Sequence, residues 1–381
     1  MILNRKGISL LLLLLVLFIS CEKEEIADIT QKTELDKLVD SEFKRLLMPG
    51  LVCLAVKDDS VVYLGLRGYA NKSGKKLFTN QTRMLIASTS KTFTLTAIMQ
   101  LCEKGQINLD SDINLYLPFQ VRNPHFTDYP ITVRMLLTHT SSISDGGYMP
   151  SLYYLFGYVD YPETLMSFEK NYLTQAGSNY TKKNFSKIKP GQVYDYSNVG
   201  AALIACLVEH VTNTSFNDYC KQYIFEPLGM DKTTWFFSET PENEIAIPYG
   251  DNNITNPSKS FYTYPTYPDG HLITTIDDLS KFMRAYIMNG KYNNFQLLQA
   301  QTIDTIMHEN LSIPGGTQGL IFFKRKNSQF EVWGHDGGDP GVSTEMYFDR
   351  EKRVGYIMFN NRTDAYSSVL RNALLLYANQ Y

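Results

Sequence analysis

Several patterns that mark common protein classes are missing from this chain of 381 residues. No dense run of Lys and Arg occurs and the formal net charge is only -3, which argues against a nucleic-acid-binding protein. The five cysteines include no Cys-x-x-Cys pair, and the six histidines include no His-Glu-x-x-His motif. Redox motifs and zinc sites usually carry such pairs. We therefore expect no metal, no organic cofactor and no nucleic acid as a partner.

The longest uninterrupted apolar run, residues 10–19, lies near the N-terminus. It is about half as long as a helix that crosses a bilayer, and it follows a short basic region, as in a signal peptide. The run ends in FISC, residues 18–21, which resembles the lipobox of bacterial lipoproteins, where cleavage leaves a lipidated cysteine as the N-terminus. We predict a signal peptide over 1–20, a lipidated Cys21 with a polar tether over 21–31, and an exported, membrane-anchored protein facing the periplasm or cell surface. An ordinary secretory signal with an incidental cysteine is the alternative.

The other four cysteines are Cys53, Cys102, Cys206 and Cys220. Disulfides are permitted in an exported protein, but Cys53 and Cys206 stand inside apolar runs, where a cysteine is commonly a small buried hydrophobe. We predict free thiols.

Strand patterns occur at both ends of the chain, and helical patterns dominate the middle. Residues 50–70 read as two strands turned at 58–60, and the segments FEVWGHD, GVSTEMYFD and RVGYIMFNN near the C-terminus read as further strands. We therefore predict an α+β fold in a domain spanning 32–381. Its antiparallel sheet would be built from both chain ends and flanked by helices, with a mostly helical insertion at about 105–265.

The segment IASTSKTFTLTAIMQL, residues 86–101, places Ser88 three positions before Lys91 at the start of an apolar helical pattern. Residues three apart share a helix face, so Lys91 can reach the Ser88 hydroxyl. A serine becomes a good nucleophile when a neighbour takes its proton, and a lysine can do this when it is at least transiently neutral. The helix N-terminus would favour an oxyanion beside it. The alternative is a helix cap and a surface charge, because Ser-x-x-Lys is a common pattern.

Tyr196 and Asn198 open a second apolar helical segment, VYDYSNVGAALIACLVEHV, at a loop-to-helix junction. A tyrosine and an amide at such a junction can face a cleft, although Asn198 could also be a plain N-cap.

A third motif, WGHDGGDPGVST over 333–344, begins as a strand and continues into glycines. Strand alternation predicts His335 and Gly337 on one face and Asp336 on the other. Gly337 and Gly338 would let a substrate backbone lie close to the strand edge.

Ser-x-x-Lys, Tyr-x-Asn and His-x-Gly, in this order and at these intervals, resemble the class C β-lactamase and penicillin-binding-protein superfamily of serine hydrolases. Three connecting stretches are similar too: LLTHTS (136–141), IFEPLGMDKT (224–233) and DGHLITTIDDLSKFM (269–283). The similarity spans about residues 35–375. It implies a β-lactamase/DD-peptidase-like fold, with the active site in a cleft between a sheet-containing part and a helical part.

The resemblance implies a role for each matched residue. Ser88 would be the acylated nucleophile and Lys91 its proton partner. Tyr196 would act as the general base and as the donor to the leaving group. Asn198 would bind the substrate amide, and the N–H groups of Ser88 and Gly338 would form the oxyanion hole.

His335 departs from the family pattern, since many relatives carry Lys there in a Lys-Thr-Gly motif; we place it, with Gly337, among the substrate-binding residues. An unperturbed His is mostly neutral at pH 7, whereas Lys is a cation. Lowering the pKa of Tyr196 from about 10 to about 7 needs roughly 4 kcal/mol, which one cation at about 4 Å supplies at an effective dielectric of 20. Lys91 is therefore sufficient for activity. The hold on a substrate carboxylate is weaker, which argues against an efficient β-lactamase.

We predict a serine hydrolase that forms an acyl-enzyme on Ser88 with an extracytoplasmic amide or ester, as in a DD-peptidase, a D-amino-acid peptidase or an esterase. The alternatives are a slow-turnover penicillin-binding or sensor protein and a true β-lactamase. The expected partners are a small-molecule or peptide substrate, for example one derived from peptidoglycan, and a membrane reached through the lipid anchor.

Two Tyr-rich stretches, 148–162 and 261–270, favour aromatic walls for the cleft, although tyrosines are also tolerated on surfaces. We expect His139 to be a hydrogen-bonded structural residue and not a catalytic base.

Overall fold

The centre of the protein is a nine-stranded antiparallel sheet with the order β10-β11-β12-β13-β14-β15-β1-β2-β3. The computed structural model describes residues 31–148, 153–250, 261–308, 311–313 and 316–381. The sheet strands are β1 (Gly50–Lys57), β2 (Ser60–Asn71), β3 (Lys76–Leu77), β10 (Leu311–Ile313), β11 (Gly316–Gln318), β12 (Phe323–Lys326), β13 (Glu331–Asp339), β14 (Val342–Asp349) and β15 (Val354–Asn360). Three smaller pairs are formed by β4 (Met84–Leu85) with β7 (Ile273–Thr274), β5 (Leu155–Phe156) with β6 (Tyr262–Thr263), and β8 (Lys291–Tyr292) with β9 (Phe295–Gln296).

Some described helices cover the faces of this sheet, and most of them lie, in sequence, between its N-terminal strands β1–β3 and its C-terminal strands β10–β15. They are α1 (Lys32–Arg45), α2 (Lys91–Glu103), α3 (Val133–Leu137), α4 (Leu165–Leu173), α5 (Asn198–Thr212), α6 (Phe216–Cys220), α7 (Glu226–Leu228), α8 (Ile276–Ile287), α9 (Ala300–Ile306) and α10 (Ser368–Ala378). A single turn of π-helix, Lys221–Phe225, joins α6 to α7.

Strand β1 joins the two ends of the chain, because it pairs with β2 on one side and with β15 on the other. All but the last of its residues are buried, since both faces of the sheet are covered. Cys53 belongs to the buried cluster that includes Leu35 of α1 and Leu370 of α10, and the adjacent Val52, on the other face, belongs to the cluster that includes Phe93 of α2. The predicted α+β fold with a sheet from both chain ends is confirmed.

The four cysteines within the described residues are free thiols. Cys21 and the rest of the predicted signal peptide and tether up to residue 30 lie outside the described residues. Within the described ranges, no single helix has the length and apolarity to cross a membrane. The bent pair of α5 and residues 216–228 meets that test only jointly, on length and composition.

The register of β13 creates the edge on which the candidate site is built. Its first four residues, 331–334, pair with β12, whereas the pairing with β14 continues from Trp333 to Asp339. Beyond Gly334, no described strand pairs with the β12 side of β13. The turn that carries Ser88 packs against this part of β13.

Candidate active site

Ser88 lies half-buried in a 3-10 turn, Ala87–Ser90, that leads directly into α2. Ala87 has a left-handed backbone with φ of 46°, a conformation that is unfavourable for a residue with a Cβ. Thr344 of β14 donates from its hydroxyl to the Ile86 carbonyl at 2.7 Å, which ties the start of the turn to the sheet. A strained backbone that its surroundings hold in place is typical of functional sites.

Lys91 is fully buried, and its ammonium group contacts three acceptors. Nζ donates to Ser88 Oγ at 3.0 Å, to Asn198 Oδ1 at 2.8 Å and to the Asp269 carbonyl at 2.8 Å. These contacts use all three N–H donors of an ammonium. Nζ also lies 5.0 Å from the ring centre of Tyr196. The structure thus brings together two segments that are distant in sequence: one carries Ser88 and Lys91, and the other carries Tyr196 and Asn198.

Lys91 is held as a cation despite its burial. Desolvation lowers its pKa, but the neighbouring Tyr196 and Asp269 outweigh that effect and raise the pKa above the ordinary value. The Asp269 carboxylate contributes through Oδ1, which lies 3.6 Å from Nζ. Lys91 is therefore a hydrogen-bond donor to Ser88 Oγ in this structure.

The simple capping interpretation of these residues is wrong. The N-cap of α5 is Ser197, whose hydroxyl accepts from the Gly200 N–H, so the Asn198 side chain remains available for Lys91. The N-cap of α2 is Ser90, without a side-chain capping bond. Ser88 instead directs its hydroxyl to Lys91.

Asp145, which the sequence did not single out, fixes the segment that carries Tyr196 and Asn198. Its Oδ2 accepts from the Asn198 N–H at 2.8 Å. Its Oδ1 accepts from Ser197 Oγ at 2.7 Å and from the Val199 N–H at 3.2 Å. A carboxylate at a helix N-terminus satisfies unpaired N–H groups and interacts favourably with the helix dipole. Its distance in sequence from α5 left no local signal of this contact.

His139 supports Tyr196 from behind, in agreement with the structural role predicted for it. Its Nδ1 accepts from the Ser197 N–H at 3.3 Å, and its ring lies 4.4 Å from the Tyr196 ring, centre to centre. Burial, together with the nearby Lys91, lowers the pKa of His139 well below its ordinary value. A neutral imidazole with Nδ1 as acceptor carries its proton on Nε2.

His335 is only 2% exposed, and it contacts the rings of Phe323 and Tyr196 at 4.7 and 6.5 Å between centres. Burial, and then the charge of Lys91, lower its pKa to about 4. Nδ1 donates to the Asp336 carbonyl, so Nε2 of the neutral ring carries a lone pair, and this atom has no hydrogen-bond partner among the described residues. Where a lysine would donate hydrogen bonds, Nε2 of His335 can only accept one.

The two glycines after His335 differ in what surrounds them. A Cβ at Gly337 would clash with the Ile86 carbonyl oxygen and with Thr344 Oγ1, so this position allows the Ser88 turn to approach β13. Gly338 is exposed, and a Cβ there would meet only the hydroxyl of Tyr366 at 2.8 Å. Strand alternation is as predicted, since His335 and Gly337 are buried. The close approach at Gly337 is made by the protein's own backbone, and this corrects the expectation of a substrate there.

Two acidic residues near Lys91 were also missed by sequence reasoning. Burial, partly offset by Lys91, raises the pKa of Asp269 to about 6. Burial, and then the proximity of Asp269, raise the pKa of Asp339 to about 7. Asp339 Oδ1 accepts from the hydroxyl of Tyr154 at 3.1 Å, and Oδ2 accepts from that of Tyr264 at 3.5 Å.

The two Tyr-rich stretches contact each other beside Asp339. The ring of Tyr154 stacks on those of Tyr262 and Tyr264, with centres 5.2 and 5.0 Å apart. Residues 149–152 of the first stretch lie outside the described residues. In the part of the chain that the structure describes, no group of three His, Cys, Asp or Glu side chains could hold a metal ion.

The sheet from both chain ends and the buried Ser-Lys pair beside a tyrosine and an amide define the β-lactamase/DD-peptidase fold class. The Beta-lactamase family matches residues 35–379, so this chain belongs to that family. The resemblance to the class C β-lactamase and penicillin-binding-protein superfamily is therefore confirmed.

Two curated relatives are similar over most of this chain. Protein flp of Staphylococcus aureus (strain N315) is 23% identical over 339 residues, which are 87% of this chain and 64% of that protein. Penicillin-binding protein 4* of Bacillus subtilis (strain 168) is 23% identical over 341 residues, which are 84% of this chain and 70% of the relative. The chain thus spans less than two thirds of the length of the staphylococcal protein.

Solved structures show the same fold. The D-amino acid amidase from Ochrobactrum anthropi SV3 superimposes with a TM-score of 0.71 at 21% identity, covering 91% of this chain and 96% of the amidase. A class C β-lactamase from Rhodobacter sphaeroides superimposes with a TM-score of 0.68 at 16% identity, covering 91% of this chain and 98% of the enzyme. At these identities the likeness concerns the fold.

Proposed function

We propose that this protein is a serine hydrolase that forms an acyl-enzyme on Ser88 with an amide or ester substrate. The observation that carries the proposal is the 3.0 Å hydrogen bond between Ser88 Oγ and the buried ammonium of Lys91, with Asn198 on the same ammonium. An isolated buried lysine is unfavourable, and the three acceptors around this one stabilise it next to a half-exposed hydroxyl.

Because Lys91 is already protonated, the proton of Ser88 needs another acceptor. Tyr196 is the group we assign, since its ring centre lies 5.0 Å from Lys91 Nζ, the same atom that donates to Ser88 Oγ. Tyr196 takes the proton as Ser88 Oγ bonds to the substrate carbonyl carbon, and then protonates the leaving amine or alcohol. Water repeats the sequence to release the acid.

Two backbone N–H groups, those of Ser88 and Gly338, are assigned to the developing oxyanion. Ser88 is the second residue of the 3-10 turn before α2, and Gly338 is exposed on the edge of β13 that packs against this turn. Donors fixed in advance at such a point account for a large share of catalysis in acyl transfer. Asn198 is assigned to the substrate amide.

The substrate class we propose is a peptide, amide or ester of a D-amino-acid type, and not a β-lactam in efficient turnover. The fold is shared with a D-amino acid amidase as well as with a class C β-lactamase, so the fold alone leaves both chemistries open. The neutral His335 favours amidase-type chemistry over β-lactamase chemistry, because it offers no cation to a substrate carboxylate.

The experiment follows the intact mass of the protein from Glu22 onward during incubation with a penicillin and with p-nitrophenyl butyrate. We expect an acyl adduct on Ser88 or release of nitrophenol, and neither from Ser88→Ala. Ser73→Ala, which removes an exposed serine hydroxyl, is the control and should behave as wild type. Turnover by Ser88→Ala at the wild-type rate would overturn the assignment. A penicillin adduct that persists for hours would instead favour the slow-turnover binding or sensor protein.

We also propose that the protein is exported and anchored to a membrane through a lipid on Cys21. The support is the short apolar run ending in FISC at 18–21 and the polar residues that follow it. A tethered hydrolase of this kind would meet extracytoplasmic substrates such as peptidoglycan peptides.

A further inference from the structure

We infer that Asp269 and Asp339 form a subsite for an ammonium group carried by the acyl part of the substrate. The inference deepens the proposed function and rests on it. It assigns to these carboxylates the recognition of a free amino group next to the scissile carbonyl.

Asp269 has an unused acceptor at the reaction centre. Its side chain is 7% exposed, and Oδ2 has no hydrogen-bond partner among the described residues. Oδ1 lies 3.6 Å from Lys91 Nζ, which itself lies 3.0 Å from Ser88 Oγ. Oδ1 is thus separated from Ser88 Oγ by no more than the sum of these two distances. This separation between Asp269 and Ser88 Oγ suits an amino group on the carbon next to the scissile carbonyl, when Ser88 Oγ has bonded to that carbonyl carbon.

Asp339, at the end of β13, lies near Asp269. It lies four residues after His335 on the edge that packs against the Ser88 turn, and it is close enough to Asp269 to be affected by its charge. Tyr264 links the two, because its hydroxyl donates to Asp339 and also lies against Gly270, the residue after Asp269. A Cβ built on Gly270 would lie 3.5 Å from the carbonyl carbon of Ala87, next to the nucleophile.

The charges at this site favour a cation. The buried Asp269 and the partly exposed Asp339 lie near one buried ammonium, that of Lys91, which already donates to three other acceptors. His335 and His139 are neutral at pH 7 and supply no further positive charge. Bringing the carboxylates together is unfavourable without a counter-ion, and a substrate ammonium would relieve that repulsion while donating to the free Oδ2 of Asp269.

The surrounding tyrosines have a matching chemistry. Tyr154, Tyr262 and Tyr264 stack beside Asp339, and aromatic faces attract cations when water is excluded. The hydroxyls of Tyr154 and Tyr264 donate to the two oxygens of the Asp339 carboxylate and so orient it. The exposed Phe156, whose ring centre lies 6.2 Å from that of Tyr154, extends the wall toward solvent, where an apolar substrate side chain can pack.

The test compares D-phenylalanine amide with N-acetyl-D-phenylalanine amide, which differ in the positive charge of the amino group. We expect the wild type to hydrolyse the free amine with a kcat/KM about tenfold or more above that of the acetylated compound, as for a hydrogen bond to a charged group. Asp269→Asn should reduce this ratio by about tenfold, and Asp339→Asn should reduce it less.

Asp58→Asn is the matched control, since it removes one carboxylate in the β1–β2 turn, at the end of the sheet away from Asp339. It should leave the ratio at the wild-type value. Using a ratio separates recognition of the amine from a general loss of activity, and the wild-type comparison stands even if a variant fails to fold.

A wild type that prefers the acetylated amide, or folded Asp269→Asn and Asp339→Asn variants that keep the full ratio, would overturn the inference. Hydrolysis of p-nitrophenyl butyrate through Ser88 with neither amide accepted would also overturn it, while the proposed function stands. If the ester is not hydrolysed either, and no adduct forms on Ser88, both fail together.

Discussion

At the scale of single residues, the proposed substrate preference depends largely on the residue at position 335. A lysine there would be a donor and a cation, whereas the buried His335 presents the lone pair of Nε2 and is neutral at pH 7. Asp269 adds an acceptor without a partner among the described residues. Both features favour substrate groups that donate hydrogen bonds over the carboxylate of a β-lactam.

The lowered pKa of His335 predicts a specific pH dependence of stability. The native imidazole stays neutral down to a pH of about 4, whereas the unfolded one takes up a proton near pH 6.5. The unfolded state therefore binds more protons between these values, and the free energy of unfolding falls as the pH is lowered through this window. His335→Gln removes this contribution. We expect the stability of the variant relative to wild type to rise by up to about 3 kcal/mol between pH 7.5 and pH 4.

Urea unfolding at several pH values measures this difference. His125→Gln is the control for the loss of an imidazole outside the site formed by Ser88, Lys91, Tyr196 and His335. A constant difference between His335→Gln and wild type from pH 7.5 to 4 would contradict a neutral buried imidazole.

At the scale of elements, the start of α5 and the middle of β13 position the site. Helix α5 carries Asn198 on its first turn and Tyr196 just before it, and Asp145 binds both the cap residue and the first N–H groups. Strand β13 carries His335 beside a glycine that lets the Ser88 turn approach. Asp145 thus fixes the start of α5, and Gly337 fixes the approach of the Ser88 turn to β13; neither is assigned a part in the reaction.

Asp145→Ala should weaken both the helix and catalysis. Loss of the carboxylate leaves α5 N–H groups unpaired, which costs about 1–2 kcal/mol of stability. The resulting displacement of Tyr196 and Asn198 should lower kcat by about 100-fold. Thr164→Ala removes a comparable cap from α4, where Thr164 accepts from the Ser167 N–H at 3.3 Å, and it should cost stability without this loss of kcat. Thermal unfolding and ester turnover check both effects, and equal kcat in the two variants would contradict a positioning role.

Gly337→Ala and Gly338→Ala test the packing of β13. The first places a Cβ against the Ile86 carbonyl, which is backbone and cannot move aside, so we expect a loss of about 1–3 kcal/mol and of most turnover. The second meets only the Tyr366 hydroxyl, the far end of a side chain, and should be tolerated much better. Denaturant unfolding and turnover of both variants would show the asymmetry, and equal effects would refute it.

At the scale of the whole molecule, the sheet holds both chain ends together. Strand β1 lies between β2 and β15, and α1 packs with α10 in one buried cluster. Helix α1 begins at Lys32 and lies on the same face of the sheet as α10.

Cys21→Ser tests the proposed anchor. The variant should move from the membrane fraction to the soluble fraction and should no longer incorporate a labelled fatty acid, because the serine cannot form the thioether-linked lipid anchor. Cys102→Ser, which changes a free thiol of the folded domain, should remain with the membrane. Equal fractionation of both variants with the wild type would show that the anchor is absent.

The sequence by itself determined the fold class, the Ser88–Lys91 pair and the motifs at Tyr196 and His335, because these depend on local spacing and on a helical or strand period. The β1 and β2 strands and the alternation along β13 followed from the strand period. Only the tertiary structure revealed Asp145, Asp269 and Asp339. Their contacts join segments distant in sequence, and a single carboxylate in a loop has no periodic signal.

The protonation states were also decided by tertiary packing. The sequence suggested a lysine able to lose its proton and a histidine with an ordinary pKa. Burial among specific neighbours instead keeps Lys91 charged and His335 neutral, because desolvation and nearby charges act through space and not along the chain.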